Sequence, residues 1–513
     1  MDKTCDILVL GGGGAGLTAA VRAASVSDKK VIVLEKADFL GGGAAQAADF
    51  RVYGSRWQRE RGYDDKLNED LVKVMDETYW KLDPELVGRT FLATGKFFDW
   101  ICTFGEDVAD HFEAGRYIFD MPDKGPVVPV YKEGLPGRSG GYIMRIMAAQ
   151  AEKLGVEVLK NTRAADLCVE NGRIVSVLAD GPDGRLEIAC SAVILATGSW
   201  INDQRELERV SPKYAAIDPG PLQKGGHRSR AYTGDGLALA EKAGAFIDRD
   251  SFCLRLMGPM IMSRCRTVSG MSGHRFQLQI NMNGKRWCCE PSSKRMGIFD
   301  SGHVLCEQPE GVSWLVFDKN TVLAAAQDVK DAPPEGWGGI FGNPSFPEDV
   351  LADLENELNA PVGGSTAVPG GAAAASGLIC AATVAELAEK MGVPASALEK
   401  TIADYNRACE TGFDADCFKA PDALVPLTGP YYAYKGFLGT DGAFGGVLVN
   451  ADMQAYAENG GLVEGLYVTG DFASGRFVND MGVKRQIIND LAWAYASGYI
   501  AAESAVSYLA ARG

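Results

Sequence analysis

The chain has 513 residues, 46% of them hydrophobic and 23% charged, so it has enough apolar side chains for a large core and is not a disordered chain. Its formal net charge of −16, with no run rich in lysine and arginine to offset it, argues against a nucleic-acid partner. No apolar run reaches the roughly 18 residues that a membrane helix requires, and no secretory signal pattern opens the chain, so we expect a cytoplasmic protein without a membrane span.

The first forty residues have the pattern of a βαβ unit. Residues 6–10 (DILVL) predict a buried parallel strand, residues 17–25 a helix, and residues 31–34 (VIVL) a second buried strand. A glycine turn at 11–16 joins the first strand to the helix. This order of elements is typical of a Rossmann-like fold.

The glycine turn has G-x-G-x-x-G spacing at Gly11, Gly13 and Gly16. The first glycine allows the turn, the second lets the backbone approach a pyrophosphate, and the third lets the helix pack on the strand. Glu35 follows the second strand, where a carboxylate accepts the ribose hydroxyls of an adenosine. The unit therefore predicts a dinucleotide site, with NAD and FAD both open at this point.

Three later segments have features of a flavin site. Residues 40–44 (LGGGA) form a glycine loop whose backbone is able to lie along a flat ring system. Residues 192–198 (AVILATG) and 465–471 (GLYVTGD) each read as a buried strand that ends in a turn. Together with TGDGLALAEKAGA at 233–245 and INMNGKR at 280–286, they resemble the fumarate reductase/succinate dehydrogenase flavoprotein family, which includes the 3-ketosteroid dehydrogenases.

The resemblance covers essentially the whole chain and implies an α/β fold with an α+β cap. A Rossmann-like FAD domain of glutathione-reductase type is expected at 1–254 and 440–513, interrupted by a mobile capping domain at 255–439 that binds the substrate. FAD is the implied cofactor, held without a covalent bond because no histidine occupies the loop 41–48. No later strand is followed by a second G-x-G-x-x-G, which argues against a separate NAD(P)H domain.

The resemblance also implies which residues contact FAD in this sequence. They are Gly11, Gly13, Gly14, Ala15, Gly16, Glu35, Lys36, Gly41, Gly42, Gly43, Ala44, Ala165, Ala196, Thr197, Gly198, Asp235, Gly470, Asp471, Ile487 and Ile488. The twelve cysteines include no C-x-x-C pair, so we expect reduced thiols and no metal site.

For the chemistry, the resemblance implies hydride transfer between the flavin and a carbon–carbon double bond beside an electron-withdrawing group. Cations meet the charge that develops on that group, and an acid protonates the α-carbon. The family's substrate-binding arginine aligns with Arg485, for which a structural ion pair is the alternative. Its proton-donating arginine aligns with Lys294, next to Arg295. The donor is therefore expected to be Lys294, Arg295 or a tyrosine such as Tyr432, and surface charge is the alternative for the first two.

The two histidines that hold the dicarboxylate of fumarate reductases are missing from the aligned segments. Gly442 stands at one position, and residues 251–257 (SFCLRLM) supply no histidine at the other. We infer a site rebuilt for a larger and less charged molecule, lined by Tyr232, Phe444 and Gly445.

We therefore expect an FAD-dependent ene-reductase that acts on an enone, an acrylate or a related ring substrate such as a steroid, a plant phenolic or an arylacrylate, and not primarily on fumarate. One alternative is a 3-ketosteroid-type dehydrogenase that runs the reverse reaction. Another is an electron-transfer flavoprotein with no small-molecule substrate. The sequence has no haem motif, so a separate electron donor, such as a reductase or free reduced flavin, is expected to load the FAD.

The predicted cap contains two helices with recognisable starts. The T-x-x-E pattern at Thr383 and the S-x-x-E pattern at Ser396 both fit capping boxes. Leu398, Ile402 and Tyr405 fall on one face of the second helix, which predicts that they belong to the core.

Overall fold

Two compact units make up the chain. The first comprises Met1–Glu206, His227–Leu254 and Gly442–Gly513, and the second comprises Leu207–Gly226 and Arg255–Asp441. The computed structural model describes residues 2–47, 50–63, 67–116, 127–132, 139–217, 231–261, 263, 265–290, 301–331, 346–359, 377–473 and 490–512.

The strands are numbered here in chain order within the described residues. They are β1 (Lys3–Thr4), β2 (Ile7–Leu10), β3 (Val31–Leu34), β4 (Phe112–Arg116), β5 (Val127–Tyr131), β6 (Glu157–Leu159), β7 (Arg163–Glu170), β8 (Arg173–Gly181), β9 (Gly184–Ala189), β10 (Ala192–Leu195), β11 (Cys253–Met260), β12 (Leu278–Ile280), β13 (Val312–Asp318), β14 (Ile379–Ala381), β15 (Tyr431–Phe444), β16 (Gln454–Tyr456) and β17 (Leu462–Val468).

The α-helices of the described residues are numbered in the same way. They are α1 (Gly14–Val26), α2 (Arg56–Glu60), α3 (Leu67–Glu77), α4 (Pro84–Ile101), α5 (Ser139–Lys153), α6 (Gln204–Val210), α7 (Pro212–Ala216), α8 (Asp235–Lys242), α9 (Arg266–Ser272), α10 (Lys319–Asp331), α11 (Val350–Leu358), α12 (Val384–Met391), α13 (Ala395–Thr411) and α14 (Asp490–Ala510). None of these helices combines the length and the apolar composition needed to cross a bilayer.

A large mixed sheet organises the first unit. Its strand order is β1-β9-β8-β17-β10-β2-β3-β6, with β16 beside β17 and β7 beside β8. The neighbours from β17 through β10, β2 and β3 to β6 are parallel. All four residues of β2, β3 and β10 are buried, as expected for parallel strands covered on both faces. The predicted strands at 6–10 and 31–34 are confirmed.

The predicted start of the first helix is wrong by three residues. Helix α1 begins at Gly14, not Leu17, so two of the glycines assigned to the turn form its first helical turn. The helix lies close to its neighbours there, because a Cβ on Gly498 of α14 would lie 2.3 Å from the carbonyl oxygen of Ala15. Close packing of two helices outweighs the poor helix propensity of glycine at these positions.

The second unit is built on a smaller sheet in the order β11-β15-β13-β12, with β14 beside β15. The residues Leu398, Ile402 and Tyr405 of α13 are at most 3% exposed in one of its core clusters, which confirms their predicted burial. Thr383 caps α12, because its side chain accepts from the N–H of Glu386. The predicted capping box is only half formed, since the Glu386 carboxylate accepts from the N–H of Ala382. The capping box predicted at Ser396 is wrong: α13 begins directly after Pro394, so Ser396 lies inside its first turn.

A group of buried charges joins the segment after α13 to the segment after β12. Arg286 donates to Glu290 at 2.7 Å and to Asp414 at 2.9 Å, and all three side chains are at most 3% exposed. Lys419 donates from Nζ to the carbonyl oxygen of Gln277 at 2.7 Å. Burial alone would lower the pKa of Arg286, but Glu290 and Asp414 outweigh it and raise the pKa. We call Arg286, Glu290, Asp414 and Lys419 the charged centre.

Candidate functional site

Four of the predicted cofactor segments leave the parallel strands at one edge of the large sheet. Leu10 is in register with Leu34 and with Leu195, and Leu195 is in register with Val468. Because parallel strands end at the same edge, the residues that follow them come together there. We call these segments, residues 11–16, 35–37, 196–200 and 469–471, the carboxyl edge.

The glycine turn is packed too tightly for side chains at two of its positions. Gly11 has a φ of +113°, and a Cβ there would lie 2.3 Å from the carbonyl oxygen of Ala196. A Cβ on Gly16 would lie 1.8 Å from the carbonyl oxygen of Gly11. These two glycines are therefore required by the fold itself.

Gly13 differs from its neighbours in the turn. Its φ is −82°, which any residue adopts, and a Cβ there would meet no atom within 4 Å. Gly13 is the N-cap of α1 and supplies no capping side chain, so the open space beside Gly13 adjoins the N-terminus of the helix. Open space at a helix N-terminus fits the pyrophosphate of a dinucleotide.

The second glycine loop lies directly beside the first. The N–H of Gly41 donates to the carbonyl oxygen of Gly12 at 2.8 Å. Gly41 and Gly42 have φ values of +108° and +48°, a conformation that favours glycine. A Cβ on Gly140 of α5 would lie 2.0 Å from the carbonyl oxygen of Ala44. Backbone from three separate segments therefore meets here, and the small residues of such a surface allow a cofactor to approach the main chain closely.

Glu35 lies at the carboxyl edge as predicted from its place after β3. Its Oε2 accepts the N–H of Gly12 and its Oε1 accepts the N–H of Ala37, both at 2.8 Å. These bonds fix the carboxylate against the glycine turn. Each carboxylate oxygen has a second lone pair, so Glu35 still fits a ribose as an acceptor of its hydroxyl groups.

Lys36 and Asp235, both predicted to contact FAD, are paired with each other. Nζ of Lys36 donates to Asp235 Oδ2 at 3.0 Å and to Thr233 Oγ1 at 2.8 Å. Arg163 donates to Asp235 Oδ1 at 2.8 Å. Burial would raise the pKa of Asp235, but Arg163 and Lys36 outweigh it and lower the pKa. Ala165, another predicted contact, lies in β7 near Arg163.

The ends of β10 and β17 are also tightly packed. Gly198 has a φ of +77°, and a Cβ there would lie 2.8 Å from Cε1 of Tyr232, so the Tyr232 ring lies against the turn. A Cβ on Gly236 would lie 2.2 Å from Oγ1 of Thr197. After β17, the N–H of Gly470 donates to Oγ of Ser497 at 3.1 Å. The structure thus places the ring of Tyr232 against the turn at Gly198 in the carboxyl edge, and its role as a pocket residue stays a prediction.

Residues 442–446 lie against the same edge. The carbonyl oxygen of Gly445 accepts Nε1–H of Trp200 at 3.1 Å, and the N–H of Gly445 donates to the carbonyl oxygen of Asp471 at 3.0 Å. Trp200 in turn stacks on Phe252, with ring centroids 4.9 Å apart. Phe444, between these contacts, is 2% exposed. The predicted pocket residues Phe444 and Gly445 therefore adjoin the segments that follow β10 and β17.

Tyr432 lies in the second unit, where its ring stacks on Phe317 with centroids 5.6 Å apart. Burial is the main cause that raises the pKa of this phenol, so it stays protonated at neutral pH. The other predicted catalytic residues, Arg485, Lys294 and Arg295, lie outside the described residues, as do Ile487 and Ile488.

Arg255 was not singled out by the sequence argument. This arginine of β11 is 5% exposed, and its carbonyl oxygen accepts from Oγ1 of Thr440 at 3.0 Å. The available signal was a single arginine in the otherwise uncharged run SFCLRLM, because a guanidinium is rarely buried without a structural or functional reason.

Comparison with known proteins gives consistent matches. A family model described as FAD binding domain matches residues 6–479. The vinyl phenol reductase of Lactiplantibacillus plantarum is 25% identical over 483 residues, which cover 92% of this chain and 90% of that protein.

Solved structures match over nearly the whole chain, and two of them illustrate the likeness. The open conformation of a flavocytochrome c3 fumarate reductase has a TM-score of 0.70 at 21% identity and covers 99% of this chain and 78% of that one. The 3-ketosteroid-Δ4-(5α)-dehydrogenase of Rhodococcus jostii RHA1, in complex with 4-androstene-3,17-dione, has a TM-score of 0.64 at 20% identity and covers 98% and 97% of the two chains. These likenesses confirm the predicted fold class.

Proposed function

Because the chain belongs to the FAD binding domain family, it is an FAD-dependent oxidoreductase of the class that acts on carbon–carbon double bonds, and we propose that it is an ene-reductase for activated alkenes that carry a ring. Fumarate would be a poor substrate. The domain organisation inferred from the sequence, an FAD domain at 1–254 and 440–513 and a substrate-binding cap at 255–439, forms part of this proposal.

The observation that carries the proposal is the aromatic and uncharged character of the residues beside the carboxyl edge. The ring of Tyr232 lies against Gly198, and Trp200 stacks on Phe252. Phe444 is buried, and its neighbours in the sequence include glycines. Flat apolar surfaces suit a ring substrate better than a small dianion, because an unpaired carboxylate would lose its hydration there. Two similar proteins named for a vinyl phenol and a ketosteroid support the same substrate class.

FAD supplies hydride-transfer chemistry when bound. The chain's own residues then have to orient the alkene, stabilise the charge on its activating group and deliver a proton. The alkene gains a hydride at the β-carbon and a proton at the α-carbon, so each turnover consumes two electrons. We propose that a separate donor, a reductase or free reduced flavin, provides them.

The decisive experiment reduces the FAD-loaded enzyme without oxygen and mixes it with candidate alkenes. A vinyl phenol, an arylacrylate or a cyclic enone should reoxidise the flavin rapidly, and fumarate slowly. Fast reoxidation by fumarate would overturn the substrate class. Dye-coupled oxidation of saturated ketones, without alkene reduction, would establish the reverse reaction. If no small molecule reoxidises the reduced flavin, the electron-transfer role would be favoured instead.

For the cations, we propose that Arg485 holds the activating group and that Lys294 or Arg295 donates the proton. Alanine at the responsible position should leave FAD bound and photoreducible but slow its reoxidation by roughly 10²- to 10⁴-fold, the usual contribution of a general acid. Arg485→Lys keeps the charge and loses the planar fork, so it tests bidentate recognition. Normal rates of flavin reoxidation in all three alanine variants would make Tyr432 the proposed proton donor. Arg255→Met tests the buried arginine of β11 in the same assay.

We also propose that FAD is held without a covalent bond. Acid precipitation should release the yellow chromophore to the supernatant. Colour that remains with the precipitated protein would show a covalent link.

A further inference from the structure

Two free cysteines lie opposite each other at the amino end of the large sheet. Cys5 follows β1, and Cys190 follows β9. The parallel pairs β1–β9 and β2–β10, which lie on either side of the two cysteines, have the same register. The N–H of Cys5 donates to the carbonyl oxygen of Ala189 at 3.0 Å. Cys5 and Cys190 are therefore direct neighbours across two parallel segments.

The two thiols are buried close to each other. Neighbouring strands lie about 4.8 Å apart, and registered residues of parallel strands have their side chains on the same face. Sγ of Cys5 donates to the carbonyl oxygen of Ala189 at 3.8 Å, so this thiol lies against the residue that precedes Cys190. Each cysteine is 8% exposed. Burial raises the pKa of both thiols, and the nearby Cys5 raises the pKa of Cys190 further.

The spacing of this pair suits a disulfide. The Cα atoms of bonded cysteines are usually about 4.4–6.8 Å apart, a range that includes the distance between neighbouring strands. Cys168 of β7 also raises the pKa of Cys190, but β8 lies between β7 and β9. Two strand spacings amount to about 9.5 Å, which is too far for a disulfide unless the backbone moves. Cys5 is therefore the better partner for Cys190.

We propose that Cys5 and Cys190 are an oxidative modification site, at which hydrogen peroxide converts the two thiols to a disulfide. The reaction breaks two S–H bonds and the O–O bond, forms the S–S bond and reduces the peroxide to two water molecules. It should be slow, because the thiolate is the reactive form and both thiols are buried. The oxidant gains access when β1 opens, since this two-residue strand lies at one end of the sheet and short edge segments open locally at small cost.

The disulfide should stabilise the fold without changing the carboxyl edge. Cys5 is 184 positions from Ala189, the residue before Cys190, and a crosslink across such a long loop restricts the unfolded chain strongly. The four residues of β2 separate the two cysteines from the carboxyl edge by roughly 13 Å. We therefore expect a higher melting temperature after oxidation, with FAD binding unchanged. This inference does not depend on the proposed substrate class.

Peptide mapping tests the bond directly. The FAD-loaded protein is incubated with hydrogen peroxide, the remaining thiols are blocked with N-ethylmaleimide, and the digest is analysed by mass spectrometry. The wild type should yield two peptides joined through Cys5 and Cys190, which dithiothreitol separates. Cys168→Ala is the matched control and should yield the same pair in the same amount. A bond from Cys190 to Cys168, or two free thiols at Cys5 and Cys190 when other cysteines are oxidised, would overturn the proposal.

Melting of the oxidised and the reduced holoprotein tests the effect of the bond. Wild type and Cys168→Ala should melt several degrees higher after oxidation, and dithiothreitol should reverse the change. Cys5→Ala and Cys190→Ala should show no increase. An equal increase in Cys5→Ala would assign the stabilisation to other oxidised groups and overturn this role. Peptide mapping of the wild type decides the question even if a variant does not fold, and neither test requires an alkene substrate, so the proposed function can fail separately.

Discussion

The carboxyl edge and the charged centre are rigid for opposite reasons. At the carboxyl edge, Gly11 and Gly16 let main-chain atoms approach so closely that a single added Cβ would overlap a carbonyl oxygen. In the charged centre, Arg286 is held between Glu290 and Asp414, and all three side chains are almost completely buried. The first region therefore tolerates no added atom at Gly11 or Gly16, and we expect the second to tolerate no lost charge.

This difference follows from what each region is built to hold. Backbone N–H groups and small residues form a surface on which a cofactor lies close to the main chain. Buried ions instead bind one another, and they link segments far apart in the sequence, since Arg286 and Asp414 are separated by 128 positions. We expect substitutions at the edge to affect cofactor binding, whereas substitutions in the centre affect folding.

The largest expected effect is that of Gly16→Ala. Its Cβ would lie 1.8 Å from the carbonyl oxygen of Gly11, so the substitution should cost more than about 4 kcal/mol and yield no stable FAD-bound protein. Gly13→Ala is the matched change at a position with open space. It should leave the melting temperature of the apoprotein unchanged and weaken FAD binding roughly 10- to 100-fold, as expected for one extra methyl group in a packed site.

Fluorescence titration of the apoprotein with FAD measures both variants. Normal FAD affinity in Gly13→Ala would show that the cofactor does not use the space beside this residue. The close packing of the carboxyl edge would then serve the fold and not the binding of the cofactor.

The next largest effect is expected in the charged centre. Arg286→Met removes the cation that two buried carboxylates share and leaves them Lys419, whose Nζ is 3.8 Å from Glu290. The loss should lower the free energy of unfolding of the second unit by about 3–5 kcal/mol. Arg407→Met is the matched control, because Arg407 pairs with Asp404 on the surface of α13. Its loss should cost less than about 1 kcal/mol. Denaturant unfolding compares the two variants. Equal losses in the free energy of unfolding would show that burial of the charges adds nothing to their contribution to stability.

The same contrast explains which features were predictable from the sequence. The β2–α1–β3 unit, the strands β10 and β17 and the position of Glu35 depend on local spacing and apolar runs, and these are visible in one stretch of chain. The start of α1 was misplaced because glycine usually marks a turn, whereas here Gly16 packs against Gly11. A local rule has no information about such a contact.

Contacts between distant segments were not predictable. The bond from Trp200 to Gly445 spans 245 positions, and no spacing rule connects the two residues. The packing of Phe444 on Gly442 is short in sequence, but it depends on the support that Ser199 gives to Ala443. A Cβ on Gly442 would lie 2.9 Å from Cζ of Phe444, and no pattern in the sequence predicts this contact.

Glu35→Ala tests whether a side chain contributes to an edge that backbone otherwise builds. The substitution removes the acceptor of the Gly12 and Ala37 N–H groups and the proposed acceptor of the ribose hydroxyls. We expect FAD binding to weaken by about 1.5–3 kcal/mol, the usual value of a hydrogen bond to a charged group. Glu35→Gln retains an oxygen acceptor and should lose less. An unchanged dissociation constant in both variants would remove Glu35 from the site.

The smallest expected effect concerns Asp235 of α8, which pairs with both Lys36 and Arg163. Its pKa is lowered in the folded state, because Arg163 and Lys36 outweigh the effect of burial. A carboxyl group with a lowered pKa stabilises the folded state above its unfolded pKa, and this contribution is lost as the pH falls through the lower folded value. The stability difference between wild type and Asp235→Asn should therefore be largest near pH 7 and shrink below about pH 4.

The size of this difference should be about 1 kcal/mol or less, because the Arg163 side chain is 52% exposed and water screens the pair. Thermal melts of the apoprotein between pH 3 and pH 7 measure it without any contribution from FAD. A loss as large as that of Arg286→Met would mean that the edge depends on charge as strongly as the centre does. A loss independent of pH would point instead to the hydrogen bonds of Asp235, since an asparagine retains the shape of the side chain but cannot titrate.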